Sequence, residues 1–205
     1  KYVRNDADIL VVSLWRALLV GLCVKILRPR LKLVVFIHNS RDAHLVDYCV
    51  TRIAVKFADK VLSDCEASWQ DRLSPNLMPK PRTISFVARK INPLPHALLA
   101  PEFIFWGRLS RQKDLPRALN VFAGVFRQYK SARYHIIGPD GGQLEEVQGL
   151  CRRLGISNAV TFYGQQDIAG IQRIADSKCF YLQTSVYEGM AMSVVEAMQM
   201  GLVPV

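Results

Sequence analysis

With 205 residues, half of them hydrophobic, the chain is long enough for one or two domains and for a sizeable core. Its formal net charge of +10 is concentrated in the first half, where residues 1–100 carry 16 Lys and Arg against 8 Asp and Glu, while residues 101–205 carry 11 against 9. Such a field suits an anionic membrane surface or phosphate-bearing ligands; nucleic acid is not expected, because the cations are dispersed and no aromatic-interleaved RNP pattern or zinc-finger spacing accompanies them.

The only stretch that imitates a membrane span, residues 9–27, is interrupted by Arg16 and Lys25 and reads instead as a buried strand followed by a helix. In chain order, DILVVS (residues 8–13) is the strand and LWRALLVGLCVKIL the helix. After an RPR turn, KLVVFIHNS (residues 32–40) is a second strand, completing a βαβ unit. A helix over residues 43–58 leads into the short β-like run DKVLSDCE, then a helix over residues 67–73 that Ser74 and Pro75 break, then the strand-like TISFVA. Pro93, Pro95 and Pro101 crowd the next segment, which is hostile to helix and central strand. A domain boundary is placed there, giving domains over residues 1–92 and 102–205 joined by a linker over 93–101.

The second half repeats the rhythm: EFIFWG as a strand, a helix over 115–129, ARYHIIG as a strand, a helix over 143–154, AVTFYG as a strand, a helix over 168–177, and KCFYLQT as a strand. Such alternation implies an α/β chain with parallel sheets covered on both faces, whose ligands bind beyond the carboxyl ends of the strands. The last element is the most informative. The run YEGMAMSVVEAMQMG puts Glu188 at a glycine turn and Glu196 about two turns into an apolar helix that stops at Gly201, with Pro204 beyond. Carboxylates then flank a helix N-terminus, whose N–H groups and dipole attract phosphate while the carboxylates take up hydroxyls. Arg108 and Lys113, upstream in FWGRLSRQK, supply cations, and the combination suggests a nucleotide-sugar site.

The ordered triple FWGRLSRQKDLPRAL, HIIGPDGGQLEEVQGLCRRLGISNAVTFYG and TSVYEGMAMSVVEAMQMGLVPV resembles the group 1 (family four) retaining glycosyltransferases of GT-B fold. In the first half, DILVVS, LVVFIHNS and FADKVLSDCEASWQDRL resemble that family's more variable acceptor domain. The resemblance implies two Rossmann-like domains facing each other across a cleft, both incomplete in a chain that looks cut at its two ends. It also implies roles. Arg108 and Lys113 pair with the donor's diphosphate, together with backbone at Gly189, Met190 and Ala191. Glu196 accepts hydrogen bonds from the ribose hydroxyls, with Gly138 and Gly164 letting the nucleotide approach the backbone. Glu188 and His38 act as catalytic residues at the transferred sugar. The sequence departs from the common family pattern at Asp114, where Gly often follows the Lys, and at Met190, Ala191 and Met192, which replace an aromatic-Gly pair.

Cys23, Cys49, Cys65, Cys151 and Cys179 form no CxxC pair, and His38, His44, His96 and His135 lack ligand spacing, so neither a disulfide framework nor a metal site is expected. The reading is transfer of a sugar from a nucleotide-diphosphate sugar, with no other cofactor, to a saccharide or lipid-linked acceptor with retention, as in bacterial surface polysaccharide synthesis. A cytoplasmic enzyme peripheral to the inner face of the membrane is expected. Two alternatives stand beside it: a nucleotide-sugar epimerase of similar fold, and a non-catalytic basic module that binds membrane surfaces or nucleic acid.

Overall fold

The computed structural model describes residues 7–70, 72–73, 80–85, 87, 89–94 and 101–205. They fall into two compact units, one of Lys1–Phe86 with Glu188–Met190, the other of Val87–Tyr187 with Ala191–Val205. Most of the expected linker, and the helix break at Ser74 and Pro75, lie outside the described residues.

In the first unit, β1 (Ile9–Val12), β2 (Lys32–Ile37), β3 (Lys60–Ser63) and β4 (Arg82–Thr83) form an all-parallel sheet in that order. α1 (Trp15–Leu27) and α2 (Leu45–Phe57) are the crossovers. Alternate side chains of the strands, Leu33, Val35, Ile37 and Val61, are buried in one cluster with Leu18 of α1 and Val50, Ala54 and Val55 of α2. Gly21 lets α1 sit close to the sheet, since a Cβ there would stand 3.1 Å from Val12 and 3.2 Å from Leu33 side-chain atoms. α2 begins at Leu45 because the His44 side chain accepts from the Asp47 N–H. Of the strand expected over TISFVA, residues 86 and 88 lie outside the described residues, and pairing is described at Arg82–Thr83, an edge pair exposed on both residues with no apolar side chain to bury. Likewise α3 (Ala67–Gln70) is a single turn.

In the second unit the strands β5 (Glu102–Trp106), β6 (Arg133–Ile137), β7 (Val160–Phe162), β8 (Phe180–Tyr181) and β9 (Val203–Pro204) pair in parallel in the order β7-β6-β5-β8-β9. α4 (Leu115–Gln128), α5 (Leu144–Leu154), α6 (Ile168–Ala175) and α7 (Met192–Met200) connect them. The chain first builds outward from β5 to β7 and then returns to β5's other side with β8, so the topology reverses between β5 and β8. That reversal opens the crevice in which open α/β sheets bind ligands. The core beneath it is aromatic: Phe103, Phe105, Phe122, Tyr134 and Tyr181 are all buried. α7 stops where Gly201 adopts φ 89°, as its position predicts. Its start differs from expectation. The turn after Glu188 runs through Ala191, so Glu196 lies little more than one helical turn from the N-terminus of α7 instead of about two.

Candidate functional site

The end of β5 delivers Gly107 and Arg108 to the reversal point, and three glycines fix how closely neighbouring loops approach. A Cβ on Gly138, at φ 149°, would come within 1.8 Å of the Gly107 carbonyl oxygen, so only glycine fits after β6. At Gly141 a Cβ would stand 2.8 Å from the Leu109 carbonyl oxygen and 2.9 Å from Arg108 Cγ, which lays the Arg108 stem against this backbone. The two loops are also bonded, Leu109 N–H to the Pro139 carbonyl at 3.0 Å and Gly141 N–H to the Leu109 carbonyl at 2.9 Å. Gly164, after β7, accepts at its carbonyl from the Gly138 N–H at 2.8 Å. Around these loops lies a cavity of about 410 Å³ lined by Gly138, Pro139, Asp140, Phe162, Gly164 and Gln165, among others.

Lys113 closes a single 3-10 turn, Arg111–Lys113, and its Cε would stand 3.6 Å from a Cβ on Gly107, so its stem runs beside the backbone that carries Arg108. The next residue explains a departure noted in the sequence. Asp114 is left-handed, φ 46° and ψ 49°, a conformation glycine adopts freely and Asp tolerates, and its carboxylate caps α4 by accepting from the Arg117 N–H. Ala191, by contrast, sits at φ −69°, where a methyl group costs nothing in backbone strain.

The loop from β8 to α7 is tied to the Lys113 turn by three bonds: Thr184 Oγ1 to the Asp114 carbonyl at 2.8 Å, Gln112 Nε2 to the Tyr187 carbonyl at 3.0 Å, and Val186 N–H to the Gln112 carbonyl at 2.8 Å. The helix starts differ in a way that matters for anions. Side chains of Asp114 and Asp167 cap α4 and α6. Asp140 accepts from the N–H groups of Gly142, Gln143 and Leu144 at 2.7, 2.9 and 3.1 Å in front of α5. The donation from Leu144, Gly142 and Gln143 holds the Asp140 carboxyl below its ordinary range. α7 has no side-chain cap. Among the described residues its first-turn N–H groups are thus the ones in the second unit with no carboxylate bonded to them, whereas the Met190 N–H just ahead of them donates to Asp64 Oδ2 at 2.9 Å.

Glu196, half-buried on α7, is held from below: the indole Nε1–H of Trp106 donates to its Oε2 at 3.1 Å. Trp106 is itself fixed, its carbonyl accepting from the Tyr181 hydroxyl at 3.0 Å and its ring meeting that of Tyr181 edge-on at 4.5 Å. Sequence reasoning missed this tryptophan, whose signal was an indole donor at the strand end immediately before the Gly-Arg pair.

In the first unit His38 follows β2, its Nδ1 2.7 Å from the Ser13 hydroxyl at the end of β1 and its ring stacked on Phe36. Ser13 was also missed. So was the ion cluster that holds the loop after His38: Arg72 pairs with Asp42 at 2.5 Å and Asp47 at 2.6 Å and donates to Thr51 at 3.0 Å, while Arg52 pairs with Asp42 at 3.1 Å. The structure thus gathers Arg108, Lys113, Gly138, Gly164, Ala191 and Glu196 in the second unit, and groups Glu188, Gly189 and Met190 with His38 in the first. Among the described residues no three or more His, Cys, Asp or Glu side chains are placed to hold a metal ion. Among them, too, no helix is long and apolar enough to cross a membrane.

The sequence pattern of the glycosyl transferases group 1 matches residues 88–205. A lipopolysaccharide 1,6-galactosyltransferase of Salmonella typhimurium (strain LT2) is 34% identical over 102 residues, which are 49% of this chain and 28% of that protein. The crystal structure of TarM superposes with a TM-score of 0.79 at 17% identity, covering 96% of this chain and 40% of TarM. Anabaena Alr3699/HepE in complex with UDP-glucose gives 0.72 at 21% identity, covering 96% of this chain and 58% of that one. The chain spans less than two thirds of each of these proteins, and the structural likeness gives the fold, GT-B. Since the family pattern covers more than half of its length, the chain belongs to the glycosyl transferases of group 1.

Proposed function

We propose that this chain transfers a hexose from a nucleotide-diphosphate sugar to a saccharide or lipid-linked acceptor, with retention and without a metal, in the assembly of a bacterial surface polysaccharide. The observation that carries the reading is the concentration, at the reversal point of one parallel sheet, of Arg108, Lys113, a helix N-terminus without a side-chain cap and a carboxylate pinned by an indole. Diphosphate needs cations and N–H donors, ribose needs a carboxylate, and both groups belong to one ligand. A uridine nucleotide is the favoured donor because Alr3699/HepE is seen with UDP-glucose, and a galactosyl group because the Salmonella relative is a galactosyltransferase.

In the reaction the bond from the anomeric carbon to the β-phosphate oxygen breaks, a bond to the acceptor oxygen forms on the same face, and the acceptor's proton leaves to the departing diphosphate. Negative charge grows on that diphosphate. Arg108, Lys113 and the α7 dipole meet it there, doing electrostatically what a metal ion does in other transferases. Glu188 and His38 act at the transferred sugar, as the resemblance implies. The work is placed in the cytoplasm, at the inner face of the membrane.

A donor screen on the chain with lipopolysaccharide-type acceptors tests this, product mass being the readout. Only one nucleotide sugar is expected to add mass to the acceptor. Arg108→Ala and Lys113→Ala each lower kcat by roughly 10²- to 10³-fold, the cost of losing one donor to a developing oxyanion, while Glu196→Ala weakens binding of the nucleoside diphosphate. Sugar epimerisation without acceptor, or diphosphate binding indifferent to all three substitutions, sinks the proposal.

A further inference from the structure

Ser193 and Glu196 lie on one face of α7, at i and i+3, and each is tied to the sheet beneath. Glu196 is held by the Trp106 indole. The Ser193 hydroxyl donates to Gln183 Oε1 at 2.9 Å, and the same oxygen lies 2.9 Å from the Tyr181 hydroxyl, which donates to the Trp106 carbonyl at 3.0 Å. Ser193, Gln183, Tyr181, Trp106 and Glu196 thus form a circuit that leaves α7 at its first turn and returns to it at Glu196.

The lower part of the circuit is rigid. Tyr181 is fully buried, edge-on to Trp106 at 4.5 Å and stacked on Phe105 at 6.2 Å. Gln183 follows β8, and its N–H donates to the Val205 carbonyl at 3.2 Å while the Val205 N–H donates to the Tyr181 carbonyl at 2.9 Å, so the backbone that carries the carboxamide is bound to the β9 edge. A serine this close to a helix start ordinarily turns its hydroxyl onto nearby backbone. Here the hydroxyl is spent on the carboxamide instead, and α7 has no side-chain cap. The N–H groups of Val194 and Val195 close on the Ala191 carbonyl at 3.0 and 3.2 Å, which leaves those of Met192 and Ser193 as the pair that the helix presents to an anion. Ser193 therefore carries the anchor on its side chain and one of these donors on its backbone.

We infer that Gln183 is a positioning residue: by holding the Ser193 hydroxyl it fixes the direction of the two open N–H groups of α7, and with it the affinity for the phosphates of a nucleoside diphosphate. The inference rests on the donor reading proposed above, and it separates two tasks on one helix. Gln183 sets the phosphate end through Ser193, and Trp106 sets the ribose end through Glu196.

Titrations of the full chain with UDP and with uridine, followed by ligand NMR, test it. Gln183→Met, of similar size but without the carboxamide, and Ser193→Ala are each expected to weaken UDP roughly two- to tenfold, the range for losing one neutral hydrogen bond, and to leave uridine unchanged. Trp106→Phe weakens both ligands. Because Gln183→Met and Ser193→Ala delete the same bond, the double variant loses no more than either single one. Ser193→Thr, which keeps the hydroxyl, recovers the affinity that Ser193→Ala loses. Equal losses for UDP and uridine, losses that add in the double variant, or UDP binding untouched by both substitutions overturn the inference and leave the donor reading standing. An unaltered chain that binds GDP in place of UDP is compared with guanosine in the same way; one that binds neither diphosphate overturns the inference together with the reading it rests on.

Discussion

The two units share one architecture, parallel strands joined by crossover helices, yet their helices finish differently towards the outside. In the second unit α5 shows Glu145, Glu146, Arg152 and Arg153 to solvent, and α4 shows Arg117, Asn120 and Arg127, with Val121 its one large exposed aliphatic. In the first unit the exposed positions of α1 and α2 are mainly Leu, Val, Ile and Phe, with Cys23, Tyr48 and Cys49 among them and only Arg16 and Lys56 charged. Topology therefore does not decide what a unit's outer layer meets; the residue types on the outer stripe do. A charged stripe suits water, and an uncharged one suits an apolar partner.

The sharpest way to break this comparison is to truncate one phenylalanine of each kind. Phe122 on α4 is fully buried, edge-on to Phe103 at 5.8 Å and against Tyr134 at 5.4 Å. Phe122→Ala is expected to cost ~3–5 kcal/mol, the loss of a large core side chain plus the cavity it leaves. Phe57→Ala on α2 is expected to stay within ~0.5 kcal/mol, as for other surface changes. Urea unfolding curves measure both. A Phe57→Ala cost approaching that of Phe122→Ala means the α2 stripe is covered within the folded chain, and the contrast between the units disappears.

A smaller effect belongs to the Trp106–Glu196 pair, which has no described counterpart on the helices of the first unit. A hydrogen bond to a charged acceptor contributes about 1.5–3 kcal/mol, so Trp106→Phe, which keeps an aromatic ring but removes the donor, is expected to raise the donor KM by roughly tenfold or more with kcat nearly unchanged. Indole acts here by positioning a carboxylate, and a KM effect alone is its signature. A loss confined to kcat, with nucleotide affinity intact, places Glu196 elsewhere than at the ribose.

Much of the fold was legible because strand and helix periods alternate cleanly. LVVFI announces β2 and sets His38 at its carboxyl end, and EFIFWG does the same for Arg108. Gly201 marked the end of α7 correctly because a left-handed cap demands that residue. The start of α7 was not legible, since no capping side chain stands there to signal it. Nor was β9, or the two-residue length of β8 within the expected KCFYLQT strand, since these short pairings depend on neighbours distant in sequence. The indole under Glu196 and the hydroxyl beside His38 come from residues 90 and 25 positions away, contacts that no local pattern encodes. Asp114 looked like a departure from a glycine pattern; its left-handed backbone shows why glycine is common there and why Asp can stand in.

The smallest expected effect separates the buried polar groups of the two units. The first hides a guanidinium between carboxylates; the second hides an imidazole between Glu102 and Tyr163. His135 Nε2 lies 2.8 Å from Glu102 Oε2 and Nδ1 2.9 Å from the Tyr163 hydroxyl, contacts that a neutral ring satisfies by donating to the carboxylate and accepting from the phenol. Burial pulls the His135 pKa below its ordinary 6.5, against the opposing pull of the Glu102 hydrogen bond. The unfolded chain consequently takes up this proton first. The contribution of the neutral ring to stability is complete above pH ~6.5 and is lost as pH falls below that value towards the lowered folded pKa, with a slope that for one proton cannot exceed ~1.4 kcal/mol per pH unit. His135→Gln is expected to flatten that limb of the stability–pH curve, measured by urea unfolding, and to leave the more acidic limb in place. A limb that persists unchanged in the variant assigns the proton to another group and removes this distinction between the units.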